Sequence, residues 1–390
     1  LYLTPEEEKI YDGEHGWAYE ISMKILVRLG DLFGASRLIP IESAHISGVS
    51  YKTLGDAPTD FLEALAKAGG KARVFSTLNP SGFDPDHASE MRIPSDFREK
   101  QNRILGLYEK MGVDPTLTCT PYYLRKFEQG KHLAWAESSA VVYANSVLNA
   151  WTNREGSPSA LASALVGKTP DYGVHQAENR RASLLVKVES SLRNETEFGA
   201  LGIHVGKIAK NQIPIFDGLP KKCSKEELKQ LGAALASSGM TPMFHHDRRP
   251  KMEKLEIVSV EPKDLKDTTE GLSTASEAPD LIFIGCPHCS LSELQSVAQA
   301  LKGRKVKRET KLWVCTSRYV KEKAEESVAV IEKAGGNVFC GTCAIVTWTK
   351  NLGIDTIMTN SAKTAYYAPT FNGANVILAP LEQCILGACR

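Results

Sequence analysis

From residue 280 to residue 390 the chain alternates short apolar runs with apolar residues at helical spacing, and few folds accept that rhythm. The runs lie at 281–284, 312–315, 338–339, 356–359 and 376–378. Leu291, Leu294, Val297 and Leu301 follow the first run, and Val320, Ala324, Val328 and Ile331 follow the second. Such alternation predicts βα units on a mostly parallel sheet flanked by helices, an α/β domain. Open α/β sheets place ligands beyond the carboxyl ends of their strands. Four loops should therefore converge on one edge. They carry Cys286, His288 and Cys289; Thr316, Ser317 and Arg318; Cys340 and Cys343; and Asn360, Ser361 and Lys363.

The rest of the chain is less regular. Ile21, Ile25, Leu29 and Leu32 recur at helical spacing, and Phe61, Leu62 and Leu65 mark a second helix ending at Gly69-Gly70. Strands are expected at 38–41 and 72–76, each running into a polar loop, 42–50 and 77–82. Beyond 116 the pattern loosens, with a helix over 160–165, strands at 184–188 and 255–260, and a polar linker at 263–279. A chain of 390 residues should split into two or three domains. The expected divisions are 1–115, 116–279 and 280–390.

The balance of 47 basic against 46 acidic residues leaves a net charge of +1, with no basic face for a nucleic acid. No apolar run approaches the roughly 20 residues that span a bilayer. Leu1 to Glu8 reads as a helix start rather than a secretory leader, so a cytoplasmic enzyme is expected. Nine cysteines are an odd count and too sparse for a disulfide scaffold. Cys223, Cys315, Cys384 and Cys389 are expected to be small buried hydrophobes.

Cys119, Cys286 and Cys343 each sit where a strand hands over to a loop. Three separated loop thiols could hold an iron cluster and leave one iron open to a substrate hydroxyl, as a Lewis-acid dehydratase needs. Two other chemistries compete. Cys286-Pro287-His288-Cys289 has the spacing of a redox pair, and with Cys340 and Cys343 it could form a structural zinc site. His288 could serve either as a hydrogen-bonding partner beside the metal or as a surface residue. His245-His246-Asp247 precedes a basic turn and reads as a solvated loop. Between Trp135 and Gly156 the chain gathers Glu137, Ser138, Asn145 and Arg154. That stretch is either a capped helix with a polar turn or a hydroxy-acid site. In the second case Glu137 is an acid or base and Arg154 a carboxylate or phosphate clamp.

Taken as a set, the loops resemble the aconitase X family along essentially the whole chain. The matching stretches are Ser43-Ala44-His45-Ile46-Ser47-Gly48, Trp135-Ala136-Glu137-Ser138-Ser139-Ala140 with Ala144-Asn145-Ser146, Thr152-Asn153-Arg154-Glu155-Gly156, Gly285-Cys286-Pro287-His288 and Thr359-Asn360-Ser361-Ala362-Lys363. The likeness is greatest to the large subunit of the two-subunit archaeal form. It implies an aconitase-like large subunit of several α/β/α domains that removes water from a β-hydroxy acid. The iron–sulfur centre would be held by Cys119, Cys286 and Cys343, as 4Fe–4S or else as 2Fe–2S or mononuclear iron. Gly48, Val49, Ser50, Asn79, Pro80, Glu137, Ser138 and Lys363 would lie near the substrate, with Lys363 and Arg154 holding its anionic ends.

The archaeal form dehydrates (R)-5-phosphomevalonate to trans-anhydromevalonate 5-phosphate in a modified mevalonate route to isoprenoids. Other relatives dehydrate cis-3-hydroxy-L-proline. The swivelling domain of aconitases is expected on a separate small subunit, in a heterodimer or a dimer of heterodimers, and the catalytic base with it. A zinc-stabilised α/β binding protein and a thiol oxidoreductase are the readings from other classes.

Overall fold

The computed structural model describes residues 1–246 and 255–389. They form two compact units, Leu1–Gly82 with Pro94–Arg181, and Phe83–Ile93 with the chain from Ala182 onward. The junction expected at 115/116 falls inside the first unit, where strands from both sides of it share one sheet. Among the described residues no helix is long and apolar enough to cross a membrane.

In the first unit a short antiparallel pair, β1 (Leu38–Pro40) with β5 (Lys168–Pro170), lies beside a parallel sheet. The sheet contains β2 (Ser43–Ile46), β3 (Phe75–Leu78) and β4 (Ala134–Trp135), in the order β3-β2-β4. Its central strand lies in the stretch expected to be loop. Alternating Ser and His hide the strand from a hydropathy reading, yet all four residues of β2 are buried. Two further segments continue the sheet at its edges. Asp114 and Thr118 donate their N–H groups to Ser76 and Leu78 at 2.8 and 2.9 Å. Beyond β4, Glu155 donates to the Trp135 carbonyl at 3.1 Å. Ala44, Ile46, Leu65, Leu78, Ile104 and Leu165 close the core.

Helix Trp17–Leu32 forms as expected, and a second stripe beside the periodic one is the more deeply buried. Ala18, Ser22, Met23, Leu26 and Gly30 are the buried residues, whereas Ile21, Ile25 and Leu29 are half-exposed and Leu32 is 77% exposed. Periodicity establishes the helix, but two apolar stripes cannot be ranked by period alone.

The second unit has two parallel sheets. The smaller contains β6 (Leu184–Val188), β7 (Pro214–Asp217) and β8 (Glu256–Val260), in the order β7-β6-β8. Residues 263–279, expected as linker, contain most of helix Pro262–Leu272, which buries Leu265 and Leu272. Pro at its first turn and Asp264 bonded back to the Glu261 N–H start that helix without an apolar run. His245 and His246 are half-buried, and the remainder of their expected loop, from Asp247, lies outside the described residues.

The larger sheet contains β9 (Leu281–Cys289), β10 (Lys311–Thr316), β11 (Asn337–Cys340), β12 (Thr356–Thr359) and β13 (Asn375–Leu378), all parallel. Each of the five predicted strands is present. The order β11-β10-β9-β12-β13 makes β9 the strand from which the chain winds first one way and then the other. The crevice beyond its carboxyl end is the topological switch point.

Candidate active site

In the first unit the parallel sheet delivers its loops to one edge. After β2 come Gly48, Val49 and Ser50; after β3, Asn79 and Pro80; after β4, Glu137 and Ser138; after the edge segment, Cys119. Gly48 has φ +67° and turns the chain immediately after β2, where a side chain would be strained. Val49 and Ser50 are buried, and Ser50 precedes the short helix Tyr51–Leu54. Cys119 is buried.

A chain of hydrogen bonds joins these loops. Asn79 Nδ2 donates to Glu137 Oε2 at 2.9 Å, and Ser139 donates its N–H and hydroxyl to Glu137 Oε1 at 3.2 and 2.8 Å. Glu137 is thereby the N-cap of helix Ser138–Tyr143, where exposed N–H groups favour a carboxylate. His45 stands behind Asn79. Its Nε2 lies 3.3 Å from Asn79 Oδ1 and its Nδ1 lies 2.8 Å from Thr77 Oγ1. Because the Asn79 nitrogen serves Glu137, its oxygen accepts from His45 Nε2–H, which fixes the tautomer by the network. The sequence reading did not single out His45, although an imidazole in the middle of a buried strand is the signal that could have found it.

Burial pulls the His45 pKa down from 6.5 to about 4, against the opposing pulls of the Glu137 carboxylate and the Asn79 amide. The folded chain thus keeps this imidazole neutral at pH 5, where an unfolded histidine is protonated. The unfolded state binds more protons between pH 6.5 and 4, so stability falls as pH falls through that window. This residue alone should cost on the order of 2 kcal/mol at pH 5. His45→Gln should remove that component. Denaturant unfolding of both proteins at pH 7 and pH 5 reads it, and equal acid losses in the two would refute it.

The polar stretch that follows divides by task. Asn145 is buried and turned to the chain itself. Its Nδ2 donates to the Thr152 carbonyl at 2.9 Å, while its Oδ1 accepts from Thr152 N–H at 3.0 Å and from Arg180 at 3.1 Å. Arg154 is half-buried and bridges to Trp135. Glu155 bonds Ser159 and Thr169, and burial raises its pKa. Only Glu137 and Ser138 stand at the strand ends.

In the second unit the reactive residues surround the switch point. Ile284 pairs with Val314 and Cys289 with Thr316, so Gly285, Cys286, Pro287 and His288 stand opposite Cys315 alone. A bulge of this kind lifts a side chain off the ladder and re-aims it. Gly285 makes it feasible: its φ is +112°, and a Cβ there would lie 2.2 Å from the Cys315 carbonyl oxygen. On its other side β9 pairs with β12 only as far as Phe283 with Thr359. Beyond that pair the chain passes into Asn360 and, in the first turn of helix Ala362–Asn372, the buried Lys363.

The two cysteine loops are tied together. His288 is fully buried and donates from Nε2 to the Thr342 carbonyl at 2.9 Å, next to Cys343; it is not a surface residue. From helix Lys225–Gly239, Lys229 donates to the His288 carbonyl at 3.1 Å and Gln230 to the Cys286 carbonyl at 3.3 Å. Lys229 also forms a buried ion pair with Glu293. Breaking such a pair from one side typically costs about 3–5 kcal/mol. The Asp84 carboxylate accepts the Cys340 N–H at 2.7 Å. Burial pushes the Cys343 thiol up to about 12, reinforced by Cys286, while the N–H groups of Val346 and Ile345 and the charge of Lys363 oppose it. Amide donors and an ammonium beside a buried sulfur suit a thiolate once a metal replaces its proton. Arg318 is turned to the surface, paired with Asp86 at 2.7 Å.

Among the described residues no three His, Cys, Asp or Glu side chains stand as a ready-made metal site. The redox alternative fits this geometry poorly. A redox pair needs an exposed thiolate of lowered pKa. Both thiols of the Cys286/Cys289 pair are buried, and burial together with Glu293 raises the Cys289 thiol well above the ordinary range. Of the four cysteines expected to be buried, Cys315, Cys384 and Cys389 are, but Cys223 is half-exposed.

Three family profiles match the chain end to end: aconitase X first domain over residues 1–178, second domain over 182–270 and third domain over 279–390. The chain belongs to the aconitase X family. The phosphomevalonate dehydratase large subunit of Methanocaldococcus jannaschii is 45% identical over 404 residues, covering 99% of this chain and 100% of that protein. That of Methanosarcina mazei is 44% identical over 391 residues, covering 99% and 96%. The cis-3-hydroxy-L-proline dehydratase of Pseudomonas aeruginosa is 34% identical over 409 residues, covering 99% of this chain and 70% of that one. The crystal structure of Thermococcus kodakaraensis aconitase X in its holo-form superposes with a TM-score of 0.93 at 43% identity, over 100% of both chains. Membership in aconitase X thus rests on the whole chain, both in sequence and in backbone.

Proposed function

We propose that this chain is the large subunit of a hydro-lyase that dehydrates (R)-5-phosphomevalonate to trans-anhydromevalonate 5-phosphate. The observation that carries the reading is likeness over 96–100% of their length to phosphomevalonate dehydratase large subunits at 36–46% identity, against 33–34% over 69–70% of the length of cis-3-hydroxy-L-proline dehydratases. The designation of those relatives as large subunits supports a separate small subunit, in a cytoplasmic heterodimer or dimer of heterodimers, and a place in isoprenoid synthesis. Neither the charge balance nor the helices call for a nucleic acid or a membrane.

Cys119, Cys286 and Cys343 are the ligands of a 4Fe–4S cluster in this reading. The amide donors around Cys343 and the re-aimed Cys286 support that assignment. Such a cluster, when bound, supplies a Lewis acid that makes the substrate hydroxyl a better leaving group. The chain's own groups do the rest. Lys363 neutralises an anionic end of the substrate, with Arg154 as a second cation. Backbone groups around Gly48, Val49 and Ser50, with Asn79 and Pro80, seat the substrate. Glu137, held between Asn79 and Ser139, exchanges or orients a proton. Ser138 is the neighbouring hydroxyl donor. Asn145, whose amide is spent on Thr152 and Arg180, holds the loop rather than the ligand.

The test is anaerobic co-expression with the small subunit, followed by assays of water loss from both acids. Turnover of 5-phosphomevalonate with little of cis-3-hydroxy-L-proline is expected. The reverse preference, or activity of the large subunit alone, overturns the substrate or the two-subunit assignment respectively.

A further inference from the structure

The loops after β2 and β3 must leave the sheet to meet a ligand and still keep a fixed spacing. One side chain spans both. Gln101 lies on helix Ser95–Lys110 and is 0% exposed. Its Oε1 accepts the Tyr51 N–H at 3.0 Å and the Gly82 N–H at 3.1 Å, and its Nε2 donates to the Val49 carbonyl at 2.9 Å. Three backbone groups from two loops thus converge on a single amide. On the first loop those groups flank Ser50, and on the second the bond falls two residues after Pro80. Next to it on the helix, Lys100 donates to the Tyr51 hydroxyl at 2.6 Å, so the helix grips the first loop from within and from outside.

We infer that Gln101 is the positioning residue of the substrate seat, setting the spacing between the Gly48–Val49–Ser50 loop and the Asn79–Pro80 loop. The inference rests on the proposed function for what occupies the seat. A neutral amide is well suited to the task. It offers an acceptor with two lone pairs and a donor on one rigid plane, which no hydrophobic or singly functional side chain can copy. Without it three backbone groups, two of them in buried bonds and one in a part-buried bond, lose this partner, and the loops recover by moving toward water. The consequence is loss of a prearranged seat, so substrate binding weakens while the chemistry, carried by other residues, changes less.

The experiment uses the complete complex with Gln101→Met, which preserves the side chain's length, and Gln101→Glu, which preserves both acceptor bonds. Hydrogen exchange at the Tyr51 and Gly82 amides reads the loops directly, and steady-state kinetics reads the seat. Gln101→Met should expose both amides and raise KM about tenfold or more, with kcat changed far less. Gln101→Glu should keep both amides protected. Its KM should recover as pH is lowered, because the protonated carboxyl again donates to the Val49 carbonyl. Protected amides in Gln101→Met overturn the inference, and so do exposed amides with an unaltered KM. A loss of kcat and of visible absorbance in step, with KM constant, also overturns it, since that is the mark of a merely structural residue. A wild-type complex that dehydrates neither acid defeats the proposed function instead, while the amide exchange still decides the role of Gln101.

Discussion

Cys119→Ala should give a folded but colourless large subunit whose complex has lost dehydratase activity by more than about 100-fold. That bound follows from comparison: removing a residue that merely supports a metal ligand typically costs about 10–100-fold in affinity or activity, so removing a ligand should cost more. Folding should survive. Cys119 is a loop residue, and shortening a single thiol to a methyl deletes little buried surface. The same result is expected for Cys286 and Cys343, the other two proposed ligands. Cys223→Ser is the control: its half-exposed thiol donates to the Pro220 carbonyl and belongs to no candidate site. Iron, acid-labile sulfide and visible absorbance of anaerobically purified variants check the prediction, and the iron-to-sulfide ratio separates a 4Fe–4S cluster from 2Fe–2S or mononuclear iron. An alanine variant at 119 that retains colour and turnover removes this residue from the ligand set.

The βα rhythm at the C-terminus was legible because the three central strands, β10, β9 and β12, are buried on both faces apart from Lys311, so their apolar residues form compact runs. The bulge at Gly285 was less so, since it depends on how Cys315 of the neighbouring strand passes behind it. In the first unit β2 escaped notice because two of its four residues, Ser43 and His45, are polar, and their burial makes sense only once Trp135 and Thr77 are beside them. The candidate site divides in the same way. Residues bearing obvious chemistry, such as Cys286, Glu137 and Lys363, stand out in the sequence. Residues that hold them, such as Gln101, Lys229 and Gln230, look like ordinary polar positions on amphipathic helices, and their partners lie between 19 and 64 residues away. Asn145 shows the converse: a conspicuous polar residue whose groups all turn inward. Local pattern reveals what a residue can do, whereas distant partners decide whether it is free to do it.

Glu137→Gln should lower kcat by about 10²–10⁴-fold, the usual worth of a positioned acid or base, with a smaller effect on KM. The local geometry makes this substitution more revealing than its size suggests. Both carboxylate oxygens already accept from donors, Oε2 from the Asn79 amide and Oε1 from the Ser139 N–H and hydroxyl. A glutamine must aim its NH₂ at one of them. Donor then meets donor, and the Asn79 amide is pressed to turn over, which in turn opposes the His45 Nε2–H. Part of the loss would therefore come from misplacing Asn79 rather than from removing an acid or base. Asn79→Ala separates the two contributions. It removes the positioning contact and leaves the carboxylate, so it should lower kcat/KM while keeping whichever limb of the pH–rate profile belongs to Glu137. Glu137→Gln should erase that limb. If both variants retain the same profile, the titrating group lies elsewhere, with the small subunit as its source, and Glu137 is left with the role of orienting Asn79. A Glu137→Gln complex with kcat within about threefold of wild type would leave it neither role.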